Sequence, residues 1–98
     1  MAKGIVTKYM DNCLLCGVPT QDVHHCVYGR AERRLSDEDG LVIPLCRGCH
    51  DTIHKNGVAG KLSKIIGQLA FEKAQVGAGA SIENSRELFR RRYGRSYL

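Results

Sequence analysis

The sequence predicts a small α+β fold stapled by a metal ion, and three observations lead there. Two CxxC pairs, Cys13-Leu14-Leu15-Cys16 and Cys46-Arg47-Gly48-Cys49, have 29 residues between them. Strand-like runs at Asp22 to Tyr28 and Leu41 to Leu45 lie between the pairs, and periodic apolar stripes follow the second pair. The chain has 98 residues, no Trp and only two Phe, so its core is modest and a metal staple is expected. The length predicts one domain over residues 1–98, with a core at about 11–57 and a helical extension at about 58–98.

Residues 1–10 read as an extended or frayed lead-in. Asp11 to Gly17 reads as a metal knuckle, with Gly17 supplying the backbone freedom of a tight turn. Asp22 to Tyr28, with Val23, Cys26 and Val27, reads as a strand. Gly29 to Gly40 is expected to be a charged loop that could hold one helical turn at Ala31–Leu35. Leu41 to Leu45 reads as a second strand, placed at an edge because Pro44 has no N–H to donate. Arg47 to Lys55 reads as a short helix stopped by Asn56-Gly57. Leu62, Ile65, Ile66, Leu69 and Ala70 recur at helical spacing, which predicts a helix over about 58–75 with this stripe packed in the core. After a flexible break at Val76 to Ala80, Ser81 or Asn84 caps a last helix that carries Ile82, Leu88, Phe89 and Tyr93 and ends at Gly94.

Composition limits the functional classes. No run approaches the ~20 apolar residues of a membrane span, and the N-terminus has no signal-peptide pattern. The expectation is a cytoplasmic protein, where thiols stay reduced and paired CxxC motifs hold metal. The net charge of +5 and pI near 9.1 favour a polyanionic partner. The excess is clustered: Arg30, Arg33 and Arg34 in the middle, and Arg86, Arg90, Arg91, Arg92 and Arg95 near the C-terminus.

Four thiolates suit a tetrahedral structural zinc, and Cys13, Cys16, Cys46 and Cys49 are assigned to it. A redox dithiol needs only one CxxC and leaves the other unexplained. The fifth cysteine, Cys26, reads as a small buried apolar residue.

All four histidines lie between the pairs or just past the second. His50 and His54 are four apart on a helix and share a face, a spacing that brings two imidazoles to one divalent ion. Cys49 and His50 diverge by about 100° around that helix, so a sulfur site and an imidazole site can coexist. His24 and His25 are adjacent in a strand and point to opposite faces. One binds metal while the other stays free to take a proton from water. An ion among His24, His50 and His54 would then stabilise charge on a phosphodiester.

These residues resemble the HNH, or ββα-metal (His-Me finger), nuclease family. Val23-His24-His25-Cys26-Val27 is similar to its first strand, and Leu45-Cys46-Arg47-Gly48-Cys49-His50-Asp51-Thr52-Ile53-His54 to its helix start. The resemblance covers about residues 13–56. The fuller pattern, with SDEDGLVIPLC and FRRRYGRSYL, also resembles small HNH proteins of phages and prophages. By position, the resemblance implies His25 as general base and His24, His50 and His54 as ligands of a catalytic Mg²⁺, Mn²⁺, Ni²⁺ or Zn²⁺. It departs where the family has Asn: that position holds Leu41, nine residues before His50, and Asp37 or Asp39 is left to act as ligand or brace.

The activity implied is a metal-dependent DNA endonuclease. Arg30, Arg33, Arg34 and Arg47 are its candidate phosphate contacts, mostly to the DNA backbone with weak sequence preference. Cutting both strands would call for a homodimer or a phage protein partner. Two alternatives are a non-catalytic zinc module that docks on nucleic acid, and a protein-interaction module using the Leu62–Leu69 stripe.

Overall fold

The computed structural model describes residues 4–98, so residues 1–3 of the lead-in lie outside it. The elements are β1 (Asp22–His25), α1 (Glu32–Asp39), β2 (Val42–Leu45), α2 (Arg47–Lys55), α3 (Gly57–Gly77) and α4 (Ile82–Tyr93). β1 and β2 form a two-stranded antiparallel sheet with Val23 opposite Pro44 and His24 opposite Ile43. The result is an α+β fold: a hairpin with a four-cysteine cluster at its end, α2 packed against it, and two further helices.

Pro44 is tolerated because the sheet has no third strand, and its carbonyl instead accepts the Leu14 N–H at 2.9 Å. That bond ties the first CxxC loop to β2. Gly17 turns the loop at φ 82° and donates to the Cys13 carbonyl. Cys46 then caps α2: its backbone is extended and its sulfur accepts from the Cys49 N–H.

The segment Gly29 to Gly40 differs from the loop expected. Glu32–Asp39 is a two-turn helix. Ala-Glu-Arg-Arg-Leu are good helix formers, Arg34 pairs with Glu38 one turn on, and Gly40 closes the helix at φ 72°. Leu35 and buried Ser36 hold it to the core. A charge-rich segment reads as solvent loop until tertiary contacts cover one of its faces. β1 is also shorter than expected, stopping at His25, although Cys26 and Val27 remain fully buried.

A larger difference concerns α3. Its boundaries bracket the predicted helix, but the Leu62–Leu69 stripe is not the packed face. Leu62 is 53% exposed and Leu69 is 50% exposed. The buried face carries Gly60, Ser63, Gly67, Gln68, Phe71 and Glu72. Close approach decides this: a Cβ on Gly67 would sit 2.8 Å from the Cys26 Cβ and 3.0 Å from Val27 Cγ2. The helix backbone lies so near the hairpin that only small residues fit between them.

α4 follows its prediction, with Ser81 as the cap that accepts from the Asn84 N–H and Gly94 at φ 83° ending it. Phe89 stacks on Tyr93 with ring centroids 4.4 Å apart and meets Phe71 edge-on at 5.4 Å. The Tyr93 hydroxyl donates to Asp39 at 2.7 Å, and Arg92 pairs with the same carboxylate. The last helix therefore clamps the end of α1. Buried Gln68 donates to Glu72 and Ser96 and accepts from the Tyr97 N–H, so the C-terminal residues are fastened to α3. Among the described residues, no buried side-chain nitrogen or oxygen lacks a partner, and no helix is long and apolar enough to cross a membrane.

Candidate functional site

The first CxxC loop and the capped start of α2 bring Cys13, Cys16, Cys46 and Cys49 together, with all four sulfurs within 4.8 Å of one another. The Cys16 and Cys46 sulfurs are 3.6 Å apart. A tetrahedral zinc with bonds of about 2.3 Å requires sulfur–sulfur edges of about 3.8 Å. The thiols also resist ionising together. Burial acts to raise Cys13, but backbone hydrogen bonds from Cys46, Cys16 and Leu15 outweigh it and bring the thiol down to about 6. Cys49 is pushed up to about 12, first by its hydrogen bond with Cys46. The spacing of the four sulfurs is consistent with a structural zinc. Cys26 stands apart, buried, with burial pushing its thiol up to about 12.

The second cluster faces the other way from α2. One ring nitrogen each of His24, His50 and His54 lies within 4.8 Å of the others. His50 Nε2 and His54 Nε2 are 3.2 Å apart. Metal–nitrogen bonds of about 2.0–2.1 Å in a tetrahedron place neighbouring nitrogens about 3.3 Å apart. These three imidazoles form a candidate second metal site.

Hydrogen bonds orient two of them. Ser63 Oγ has one proton, which it donates to the Cys26 carbonyl at 2.9 Å. Its 2.7 Å contact with His24 Nε2 therefore has the ring as donor, which leaves the lone pair on Nδ1. His50 Nδ1 donates to Asp22 Oδ2 at 2.9 Å, which leaves Nε2 free. The hydrogen bonds from His50, then from Arg47, hold the Asp22 carboxyl below the usual carboxylate range. Burial, then the charges of His50, His54 and His25, lowers His24 to about 3, so it is a neutral imidazole at ordinary pH. Burial also lowers His54, followed by the charge of His50. His24, held neutral with its outer nitrogen anchored on Ser63, is in the form that binds metal.

His25 is turned away from this cluster, as strand alternation requires. Its Nε2 meets Asp37 Oδ1 at 3.1 Å, and its ring still borders the histidine cavity of about 220 Å³. Val23, Tyr28 and Arg33 line the same cavity. Arg30 and Arg34 lie in an adjoining cavity that shares His25 and Arg33. Arg47 is elsewhere: it donates to Asp22 Oδ1 at 3.3 Å and supports the carboxylate behind His50.

The family model described as "Protein of unknown function (DUF968)" matches residues 6–69. The chain belongs to the DUF968 family. That span contains every cysteine and histidine discussed above, and it ends within α3. Over 48 residues this DUF968 chain is 38% identical to the uncharacterized protein YdfU of Escherichia coli, covering 48% of the chain and 14% of YdfU. Over 57 residues it is 35% identical to the mitochondrial DNA mismatch repair protein mutS homolog of Sarcophyton glaucum, covering 52% of the chain and 6% of that protein. The matched parts are thus small fractions of both relatives. No solved structure matches.

Residues of α1 brace the chain around the histidine pair. Leu41 is fully buried in the core. Ser36 Oγ accepts from the Val27 N–H at 3.1 Å and donates to the Val27 carbonyl at 2.7 Å, bracing the chain just after the histidine pair. Asp37 holds His25, whereas Asp39 is spent on Arg92 and Tyr93. Ser63, Asp22 and Ser36 were not singled out from sequence. Asp22 shares a strand face with His24, two residues on. Ser63 falls in the small-residue line Gly60, Ser63, Gly67, which marks the packed face of α3. Ser36 lies in a segment read as a charged loop and had no comparable signal.

Proposed function

We propose that this chain is a divalent-metal-dependent DNA endonuclease of the HNH, or ββα-metal, type. The observation that carries this reading is the partition of four imidazoles in one cavity. His24, His50 and His54 converge, while His25 is held out of the cluster by a carboxylate. Three converging imidazoles suit a divalent ion, and a fourth with one nitrogen donating to Asp37 leaves Nδ1 to take a proton. The relative from Sarcophyton glaucum, named as a DNA mismatch repair protein, supports DNA as the substrate.

A divalent ion held by His24, His50 and His54 would supply positive charge to a non-bridging phosphate oxygen and to the oxygen that leaves. His25 takes the proton from the attacking water as its oxygen bonds to phosphorus, and the phosphorus–oxygen bond to the leaving strand breaks. Asp37 keeps the His25 Nε2–H engaged and the ring oriented, as a positioning residue. Arg33, beside His25 and the cavity, is the side chain best placed to hold the phosphate. Cys13, Cys16, Cys46 and Cys49 would hold a zinc that ties the first CxxC loop to the start of α2, and so fixes where His50 and His54 stand.

Plasmid nicking by zinc-loaded protein with Mg²⁺, Mn²⁺, Ni²⁺ or Zn²⁺ tests the reading. Cleavage that His25→Ala abolishes without loss of DNA binding is the expected result. A folded, zinc-loaded wild type that cuts in none of these metals refutes it. The exposed Leu62 and Leu69 favour a second reading, a protein-interaction module, which predicts no DNA affinity even at low salt.

A further inference from the structure

Beyond Tyr28, a groove of about 430 Å³ adjoins the histidine cavity. Tyr28, Gly60, Lys61, Lys64, Arg95 and Tyr97 line it. Aromatic rings hold two of its three cations. Lys64 Nζ lies 4.6 Å from the Tyr28 ring centre and 5.6 Å from that of Tyr97, and the Arg95 guanidinium lies 4.8 Å from Tyr97. Tyr28 closes over α3 because residue 60 is glycine: a Cβ there would collide with the tyrosine hydroxyl. Glu32, whose charge helps raise the Tyr97 hydroxyl behind the effect of burial, marks the acidic edge.

Charge pairing separates this groove from the other basic residues near the C-terminus. Arg86 pairs with Glu72, Arg90 and Arg91 with Glu87, and Arg92 with Asp39 and Glu38. Among the described residues, Lys61, Lys64 and Arg95 have no acidic partner. Three cations in a concave site, two of them ordered by aromatic rings and none neutralised, form an anion site. The Arg30, Arg33 and Arg34 cavity joins the histidine cavity through His25 and Arg33, and this groove joins it through Tyr28. The histidine cavity thus shares lining residues with each of the other two.

We infer that the Lys61, Lys64 and Arg95 groove binds backbone phosphates of a polynucleotide, beside the histidine cavity at Tyr28 and apart from the Arg30 and Arg34 cavity. The ligand class rests on the nuclease reading above, so binding and cleavage are read separately. Zinc-loaded His25→Ala protein is titrated onto a short labelled DNA duplex across a salt series. Each phosphate contact contributes about 0.9 to the slope of log affinity against log salt. Lys64→Gln and Arg95→Gln are each expected to lower that slope by about one unit. Arg90→Gln, which alters an arginine already paired with Glu87, is expected to leave it unchanged. Unchanged slopes for folded Lys64→Gln and Arg95→Gln overturn the inference, as does no binding at low salt. If the slopes fall but the His25-containing protein cuts nothing, the groove stands and the nuclease reading fails. If it cuts while the slopes do not move, the groove fails and the nuclease reading stands.

Discussion

Replacing Ser63 by Ala removes the hydroxyl through which α3 hydrogen-bonds the buried His24 ring. His24 is 1% exposed, so its Nε2–H has no water to turn to once Ser63 Oγ is gone. A buried donor left without a partner costs about 1–3 kcal/mol, and the Cys26 carbonyl loses its hydroxyl partner as well. The ring escapes that cost by carrying its proton on Nδ1, the nitrogen that would face the ion. Loss of such an outer partner lowers metal affinity by about 10- to 100-fold, or about 1.4–2.7 kcal/mol. Calorimetric titration of Mn²⁺ or Ni²⁺ into zinc-loaded wild-type and Ser63→Ala protein measures this, with four-cysteine zinc content checked in both. Unchanged affinity in a folded variant would refute the assignment of Ser63 as the residue that sets the His24 tautomer.

Zinc removal is expected to unfold the chain, because a structural site is worth roughly 10–16 kcal/mol against a total stability of about 5–15 kcal/mol. Helical circular dichroism that persists in protein proven zinc-free would contradict this. Gly67→Val should overpack the contact with Cys26 and Val27, cost about 1–3 kcal/mol and weaken metal binding together with stability. An unchanged urea midpoint would argue against the close approach of α3. Asp37→Ala should slow cleavage by on the order of 10- to 100-fold by misplacing His25, with ion affinity unaltered; equal loss of both would make Asp37 part of the ion site. The pH behaviour has a definite sign. The unfolded chain takes up a proton on His24 near pH 6.5, whereas the buried ring refuses it until about 3. In protein without an ion at the histidines, stability should fall as pH drops through that window, by up to about 1.4 kcal/mol per unit. Comparison with His24→Asn cancels the zinc release common to both proteins, and identical pH slopes would count against a buried neutral His24.

Much of the site could be read along the chain, because its chemistry is written in short-range spacing. Two CxxC loops, an adjacent histidine pair and an i,i+4 histidine pair on a helix each follow from local geometry. Those rules separated the sulfur cluster from the imidazole cluster and turned His24 and His25 to opposite faces of β1. What the tertiary structure decided is everything that acts across distance. Ser63 reaches His24 from 39 residues away, and Arg92 and Tyr93 hold Asp39 from more than 50. The α3 stripe was misassigned for the same reason. Apolar periodicity reports which face of a helix is greasy, whereas the packed face here was chosen by how closely the helix backbone approaches Cys26 and Val27. Glycine and serine permit that approach and leucine does not, so the sequence by itself sorted the cysteines and histidines into two clusters, and the tertiary packing decided what orients them.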